Sequence, residues 1–481
     1  MAAPEADGQQ GEQRTLINFG GNQTWAARCY RPRTEADVLE ILARHRSGQV
    51  RVLGAGHSWS DVAVSSDVTL GMSAFADVTT ITKDGETLAR VGAGCRLQHV
   101  LDRLHATTDR TLPTIGAITR QTVAGAVATG THGSGRESLS HFVAGVRVAV
   151  YDASGAPAIV EYESGDDLLA ARCALGCMGV VLSLDLRTVP KYQVEETTRR
   201  HDTLDQVLAR IPDHPLTQFI LVPYRWDYVA WERRPHEQRA LASGERLKAQ
   251  AFRLSNTVNV DVVFHLFLKT SLLLGPTAVK TLLKLVPHLL ITNVARRDAA
   301  EHVLTLGHHY FRHEEMELFV PESRLREAVE VLRCATEIFA GDTAEASEAV
   351  ATTLTLHNLY GELIRHTGTY VQQYPFFFRR VLPEDTLISM ASGTAEPMYS
   401  ISVFTYLAPS ARAPYYAFCL WLARCMVRLF GARLHWGKHF PLGEADIASA
   451  YPGLAKFKEL SRRADPNGVF RNAYTRRVLG L

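Results

Sequence analysis

The 481-residue sequence predicts an α+β fold built from at least two structural units. Three observations carry that expectation. Single hydrophobic cores stop growing at roughly 250–300 residues, so a chain of this length divides. Residues 23–190 alternate strand-like and helix-like hydrophobic patterns, which argues for sheets covered by helices. From about Lys191 the pattern changes to strand-like pieces around a long apolar stretch, which marks a second unit.

The elements follow in order. Residues 1–22 are polar and rich in Gly and Gln, without the apolar segment of a secretory signal, so a loose tail on a non-secreted protein is expected. In the first unit Glu35–Arg44 and Leu97–His105 carry helical spacing, while Val50–Leu53, Val68–Leu70, Leu88–Val91 and Val143–Tyr151 read as strands. In the second, Gln218–Pro223 and Tyr228–Glu232 are strand-like, Glu317–Pro321 opens the helical stretch Glu322–Ala340, and Pro414 to Arg433 reads as one helix with proline in its first turn.

Between Asn259 and Val294 the chain is strongly apolar. Asp261, Lys269, Lys280 and Lys284 interrupt it, and Gly275-Pro276 and Pro287 would break a membrane-spanning helix. A buried helical pair and an in-plane contact with a membrane surface both fit.

Composition excludes other classes. Hydrophobic residues are 46% and charged residues 21%, as in an ordinary globular enzyme. The formal net charge is +2 and no Lys/Arg run occurs, so no nucleic-acid partner is expected. The seven Cys form no disulfide framework, Cys173 and Cys177 are too far apart for a CxxC pair, and a reducing compartment, cytoplasmic or at a membrane periphery, is the simplest reading. The 19 His are dispersed without an HExxH, so no metal is expected, and His308-His309 with His313 reads as a solvated segment. Gly-x-Ser-x-Gly, the mark of a serine hydrolase, does not occur.

Two glycine-dense loops carry the chemistry. The first, Gly54-Ala55-Gly56-His57-Ser58-Trp59-Ser60-Asp61, follows the apolar run Val50–Leu53. Glycine allows positive φ and close backbone approach, so a strand ending in such a turn suits a phosphate or a flat cofactor. The second runs from Thr114-Ile115-Gly116 through Thr122-Val123-Ala124-Gly125 to Gly130-Thr131-His132-Gly133-Ser134-Gly135, with backbone N–H groups that a diphosphate could satisfy. Either loop alone also fits a tight surface turn. Together they imply one large anionic ligand.

These loops resemble the PCMH-type flavin-binding module of the vanillyl-alcohol oxidase family, in its aldonolactone oxidase group. The likeness continues through Leu175-Gly176-Cys177-Met178-Gly179-Val180-Val181-Leu182, Tyr374-Pro375 with Arg379 and Asp385, His435-Trp436-Gly437-Lys438, and Asp465 to Asn472. The resemblance implies a two-subdomain FAD-binding module over 23–190, an α+β cap over 191–430 that receives the substrate, and a segment 431–481 that returns to the module. It implies FAD bound covalently through His57 at the flavin 8α carbon. The cofactor would be held by Gly54, Ala55, Gly56, Ser58, Ser60, Gly116, Thr122, Gly125, Gly130, Thr131, His132, Gly135, Gly179, Val180 and Lys438.

It further implies an oxidase of a sugar-derived alcohol, an L-gulono-, L-galactono- or D-arabinono-1,4-lactone or an alditol. Hydride would pass to flavin N5 and then to O2, giving H2O2. Arg379 and Lys438 suit stabilisation of developing negative charge, and Glu317 or His435 suits the base. Gly116 leaves room for O2 where related dehydrogenases carry a bulkier residue. A dehydrogenase passing electrons to a cytochrome or quinone is the alternative within the fold, and a non-catalytic flavin-binding membrane scaffold the alternative outside enzymology. One departure matters: Phe376-Phe377-Phe378 replaces a family segment that carries an acidic group, so that edge of the pocket is expected to be more apolar.

Overall fold

Thr34 opens the helix Glu35–Arg44 with a reciprocal cap: its hydroxyl accepts from Asp37 N–H, and the Asp37 carboxylate accepts from Thr34 N–H. Such a cap contributes about 1 kcal/mol. Val38, Ile41 and Leu42 then fall on one face and pack against two sheets at once. The computed structural model describes residues 11–239, 241–256, 262–290, 292–305 and 312–481. Asn259, Asp261, His308 and His309, singled out above, lie outside them.

The first sheet holds β1 (Glu12–Ile17), β2 (Thr24–Tyr30), β3 (Val50–Val52) and β4 (Val68–Leu70) in the order β1-β2-β4-β3. Strand β1 lies in the segment expected to be a loose tail. It is held by an antiparallel ladder to β2 rather than by burial, since its side chains are exposed or half-buried, and so the sequence carries no hydrophobic signal for it. The second sheet is wholly antiparallel, ordered β5-β6-β10-β8-β9. Its strands are β5 (Val78–Lys83), β6 (Glu86–Gly92), β8 (Val143–Tyr151), β9 (Pro157–Tyr162) and β10 (Val180–Arg187), and the short β7 (Arg110–Thr111) pairs with β11 (Val189–Pro190).

The third sheet has eight antiparallel strands: β12 (Tyr192–His201), β13 (Gln218–Leu221), β14 (Tyr228–Glu237), β15 (Ala295–Ala299), β16 (Glu314–Pro321), β17 (Phe376–Val381), β18 (Met398–Thr405) and β19 (Arg433–Leu434). Their order is β15-β12-β14-β13-β17-β18-β16-β19. Side chains alternate across a strand. Met316, Leu318, Phe376, Phe378, Ile401 and Val403 therefore point to one side and join the core that the helices Leu325–Phe339 and Ala413–Phe430 complete. Glu317, Ser402, Phe377 and Ile220 form a continuous row on the other side. Arg379, Gln218 and Trp231 form the next row.

The helix expected to reach Arg433 stops at Phe430, because Gly431 takes a left-handed conformation at φ 60° and turns the chain into β19. Beyond it the chain returns to the first sheet. Val50 N–H donates to the Val469 carbonyl at 2.9 Å, and the Asn472 amide donates to the carbonyls of Asp61 and Val64 at 2.8 and 2.9 Å. The apolar stretch forms two helices, His265–Leu274 and Pro276–Leu289, broken at Gly275. Among the described residues no helix is long and apolar enough to cross a membrane.

Candidate active site

Where β3 ends, the chain turns through Gly54 to Gly56 into a cavity of about 980 Å³ that runs between the glycine loops and the polar face of the eight-stranded sheet. That volume is at the top of the range for small-molecule sites, about 300–1,000 Å³. Gly56 needs its φ of 70°, and nothing stands over its α-carbon. A Cβ on Gly54 would lie 2.3 Å from the Thr122 hydroxyl, so the two loops approach each other as only a glycine permits, and one on Gly116 would lie 2.5 Å from the Thr131 methyl within the second loop. This long cradle fits a dinucleotide such as FAD.

His57 sits half-buried in the cavity wall, its ring 5.0 Å from that of Phe19. Burial lowers its pKa to about 4, aided by the positive charges of Arg96, Arg120 and Lys438. Its imidazole is therefore neutral at ordinary pH.

The cavity is lined by every residue that the resemblance assigned to the cofactor except Ser60, Gly130 and Gly135, and by all four assigned to chemistry. Those three stand behind the lining and make contacts within the protein. The Ser60 hydroxyl donates to the Trp436 carbonyl at 2.6 Å, inside the protein. Gly130 and Gly135 have positive φ, and a Cβ would meet the Met390 methyl at 2.8 Å and the Pro215 carbonyl oxygen at 1.8 Å. Their signal, a glycine beside hydroxyls, is the same for packing as for binding. Asp385 also stands outside the cavity, pairing with Arg172 and His141, whose contacts lower its carboxyl to about 2.

Glu317 comes from β16 and is 1% exposed. Burial penalises its charge, but His132, Lys438 and Arg379 together outweigh that penalty and hold the carboxyl ionised, well below its usual range. His132 Nε2 lies 3.3 Å from its Oε1, while His132 Nδ1 is 2.9 Å from the Gly133 carbonyl oxygen. Lys438 pairs with Glu315, two residues before Glu317, and lies 4.5 Å above the Trp59 ring centre.

His435 accepts the Gly437 N–H on Nδ1 at 3.0 Å, so its proton is on Nε2. Burial, reinforced by Lys438, keeps this ring neutral. His132, Glu317 and His435 offer atoms within 4.8 Å of one another, a metal-ligand grouping that dispersed positions in the sequence did not reveal. With Nδ1 accepting and Nε2 protonated, His435 has no lone pair to give, so the trio reads as a hydrogen-bonding set rather than a metal centre. The buried Nε of Arg379, a residue of the cavity wall, has no hydrogen-bond partner among the described residues, as suits a group that meets a polar ligand.

Further along the same sheet face the lining turns apolar. Phe377 stacks between Trp231 and Tyr374, at 6.0 and 5.9 Å, and Phe404, Tyr406, Ile220, Phe264, Val286 and Leu290 close the chamber. Apart from Tyr374 and Phe377, no motif pointed to these residues: Trp231, Ile220 and Phe404 were signalled only by placement in strands, and Phe264, Val286 and Leu290 only by the apolar stretch that forms the two helices. His313, expected in a solvated segment, lines the cavity instead. Its ring lies 5.1 Å from Trp59 and 5.6 Å from Phe404, because it immediately precedes β16 and turns inward with it.

A family model described as D-arabinono-1,4-lactone oxidase matches residues 184–478, and one described as an FAD binding domain matches residues 26–156. A long-chain alcohol oxidase of an uncultured marine euryarchaeote is 38% identical, with 98% of each chain covered. An L-gulono-1,4-lactone dehydrogenase of Mycobacterium tuberculosis is 26% identical over 96% of this chain and 98% of its own. The L-gulonolactone oxidase of Mus musculus is 24% identical over 93% and 94%. Among solved structures, cholesterol oxidase from B. sterolicum superposes with a TM-score of 0.71 at 13% identity, over 99% of this chain and 100% of that one, and shows the fold.

Proposed function

The chain belongs to the D-arabinono-1,4-lactone oxidase family and is an FAD-binding oxidoreductase; on that premise we propose that it oxidises the alcohol carbon of a substrate with a long apolar tail, using O2 as acceptor. One observation carries this reading. The charged pocket of Glu317, Arg379 and Lys438 opens along one sheet face into a chamber walled by Phe377, Trp231, Tyr374 and Phe404. A sugar lactone would set hydroxyls against those rings, at about 1–3 kcal/mol for each unpaired group. An alkyl tail gains about 0.8 kcal/mol for each buried CH2. The relative named a long-chain alcohol oxidase supports the same class.

Bound FAD supplies the acceptor for the hydride that leaves the alcohol carbon. Glu317, kept ionised, accepts the hydrogen bond of the substrate hydroxyl. A carboxylate so far below its usual range is a weak base towards the resting alcohol, so Glu317 first orients and polarises the O–H, and takes its proton as the hydride leaves, because the carbonyl then formed is a far weaker base than the carboxylate. Arg379, Lys438 and the Nε2–H of His435 stabilise the negative charge that develops on that oxygen. The neutral His57 is the residue we assign to the covalent flavin bond, and Gly116 the one that leaves space for O2.

A second reading, an aldono-1,4-lactone as substrate, is favoured by the family model and by the polar end of the cavity. Peroxide formation under air with decanol and with L-gulono-1,4-lactone separates the two, and peroxide from the lactone alone would replace the first. Anaerobic dye reduction without aerobic peroxide would make the enzyme a dehydrogenase. Acid-precipitated protein that loses all its yellow colour would refute the covalent bond.

A further inference from the structure

The helices His265–Leu274 and Pro276–Leu289 form a hairpin with two apolar faces. Phe264, Leu268 and Ser271, then Val279, Leu282, Leu283 and Val286, recur at helical spacing and are buried. Phe264, His265, Val286 and Leu290 line the chamber described above. On the opposite side Leu266 and Phe267 recur seven residues later as Leu273 and Leu274. These four are 61, 51, 88 and 74% exposed, and Leu285 is 51% exposed.

Single exposed leucines are ordinary; a contiguous set on one element marks an interaction surface. The occupant follows from charge and position. Residues 262–290 contain no Asp or Glu but three lysines, Lys269, Lys280 and Lys284, of which Lys269 and Lys284 are exposed. The hairpin's two most exposed leucines, Leu273 and Leu274, stand at its tip, beside Gly275 at φ 99°. A hairpin with an apolar tip and cationic flanks suits the interface of a bilayer that carries anionic headgroups.

We propose that the outer face of this hairpin docks in the plane of a lipid bilayer, and that the alcohol passes from the bilayer into the chamber that the inner face lines. The docking stands independently of the substrate assignment; the entry route rests on it.

The test uses the FAD-loaded protein and vesicles of two parts phosphatidylcholine to one part phosphatidylserine. The wild type is expected to float with the vesicles at low salt and less at high salt. The double variant Leu273→Asp with Leu274→Asp changes only exposed positions, keeps its melting temperature, and loses about tenfold or more of its vesicle-bound fraction. Its oxidation of water-soluble butanol is unchanged, while its oxidation of hexadecanol held in vesicles falls by the same factor. A wild type that stays in the buffer, or a variant that floats as well, overturns the docking. So does a wild-type dimer, seen by light scattering, that the variant breaks, since a second copy then covers the face. Vesicle binding without turnover of either alcohol upholds the docking and removes the entry route together with the substrate reading.

Discussion

Glu317 and Phe377 pair with the same residue, Ser402, from opposite sides, so a buried carboxylate and a phenyl ring face one cavity two strands apart. The row places the charge that holds a hydroxyl beside the surface that holds a hydrocarbon. Phe377→Glu would set a second carboxylate in that row and remove the stacking with Trp231 and Tyr374. The expected result is a fall of about 10–100-fold in kcat/KM for decanol, with a gain for polyols or lactones. Substrate profiling of the variant checks it; an unchanged ratio would detach Phe377 from specificity.

Glu317→Gln keeps size and removes charge. If the anion polarises the substrate hydroxyl, kcat falls by about 10²–10³ while KM changes little. The variant loses stability, because the contacts with His132, Lys438 and Arg379 outweigh the burial penalty on this charge and are left without it. Steady-state kinetics beside a melting curve separates this from simple unfolding.

Gly116→Ala puts a methyl 2.5 Å from the Thr131 methyl, which must swing aside into the cavity or push the loop. Peroxide production is expected to drop by about tenfold or more, with reduction of an artificial dye largely kept. Equal losses in the two assays would mean that the substitution disturbs binding rather than access of O2.

Attachment of FAD should be insensitive to mild acid. An ordinary imidazole with pKa about 6.5 is mostly protonated at about pH 5 and has no free nitrogen to form the bond. The folded-state pKa of His57 is lowered to about 4, so the neutral form persists as pH falls until that value is reached. In apo-protein given FAD, the acid-stable yellow fraction should form at similar rates between about pH 8 and about pH 5. A loss centred near pH 6.5 would show that the ring titrates normally and that His57 is more open to water than its burial implies.

Much of the site was legible because glycine signals are local. Gly54, Gly56, Gly116 and His57 could be named from the sequence since a tight loop that cradles a ligand depends on residues close in the chain. The same reasoning also named Ser60, Gly130 and Gly135, which stand outside the cavity lining and lie against Trp436, Met390 and Pro215. Those partners lie far along the chain, and nothing local distinguishes a glycine that makes way for a ligand from one that makes way for a carbonyl. Strand β1 was missed for a related reason: its stability lies in ladder hydrogen bonds to β2, which leave no hydrophobic period.

Read alone, the chain settled its α+β class, the two glycine loops and the residue types on offer, since backbone freedom and hydrophobic spacing are properties of short segments. Folding settled which of those residues meet. Packing of the second glycine loop and of the apolar hairpin onto the sheet set His132 against Glu317 and turned one hairpin face to the cavity and the other outward, while antiparallel register brought Glu317, Ser402 and Phe377 into one row. Register depends on pairing between distant strands, and a slip of one residue would send each of those side chains to the opposite face.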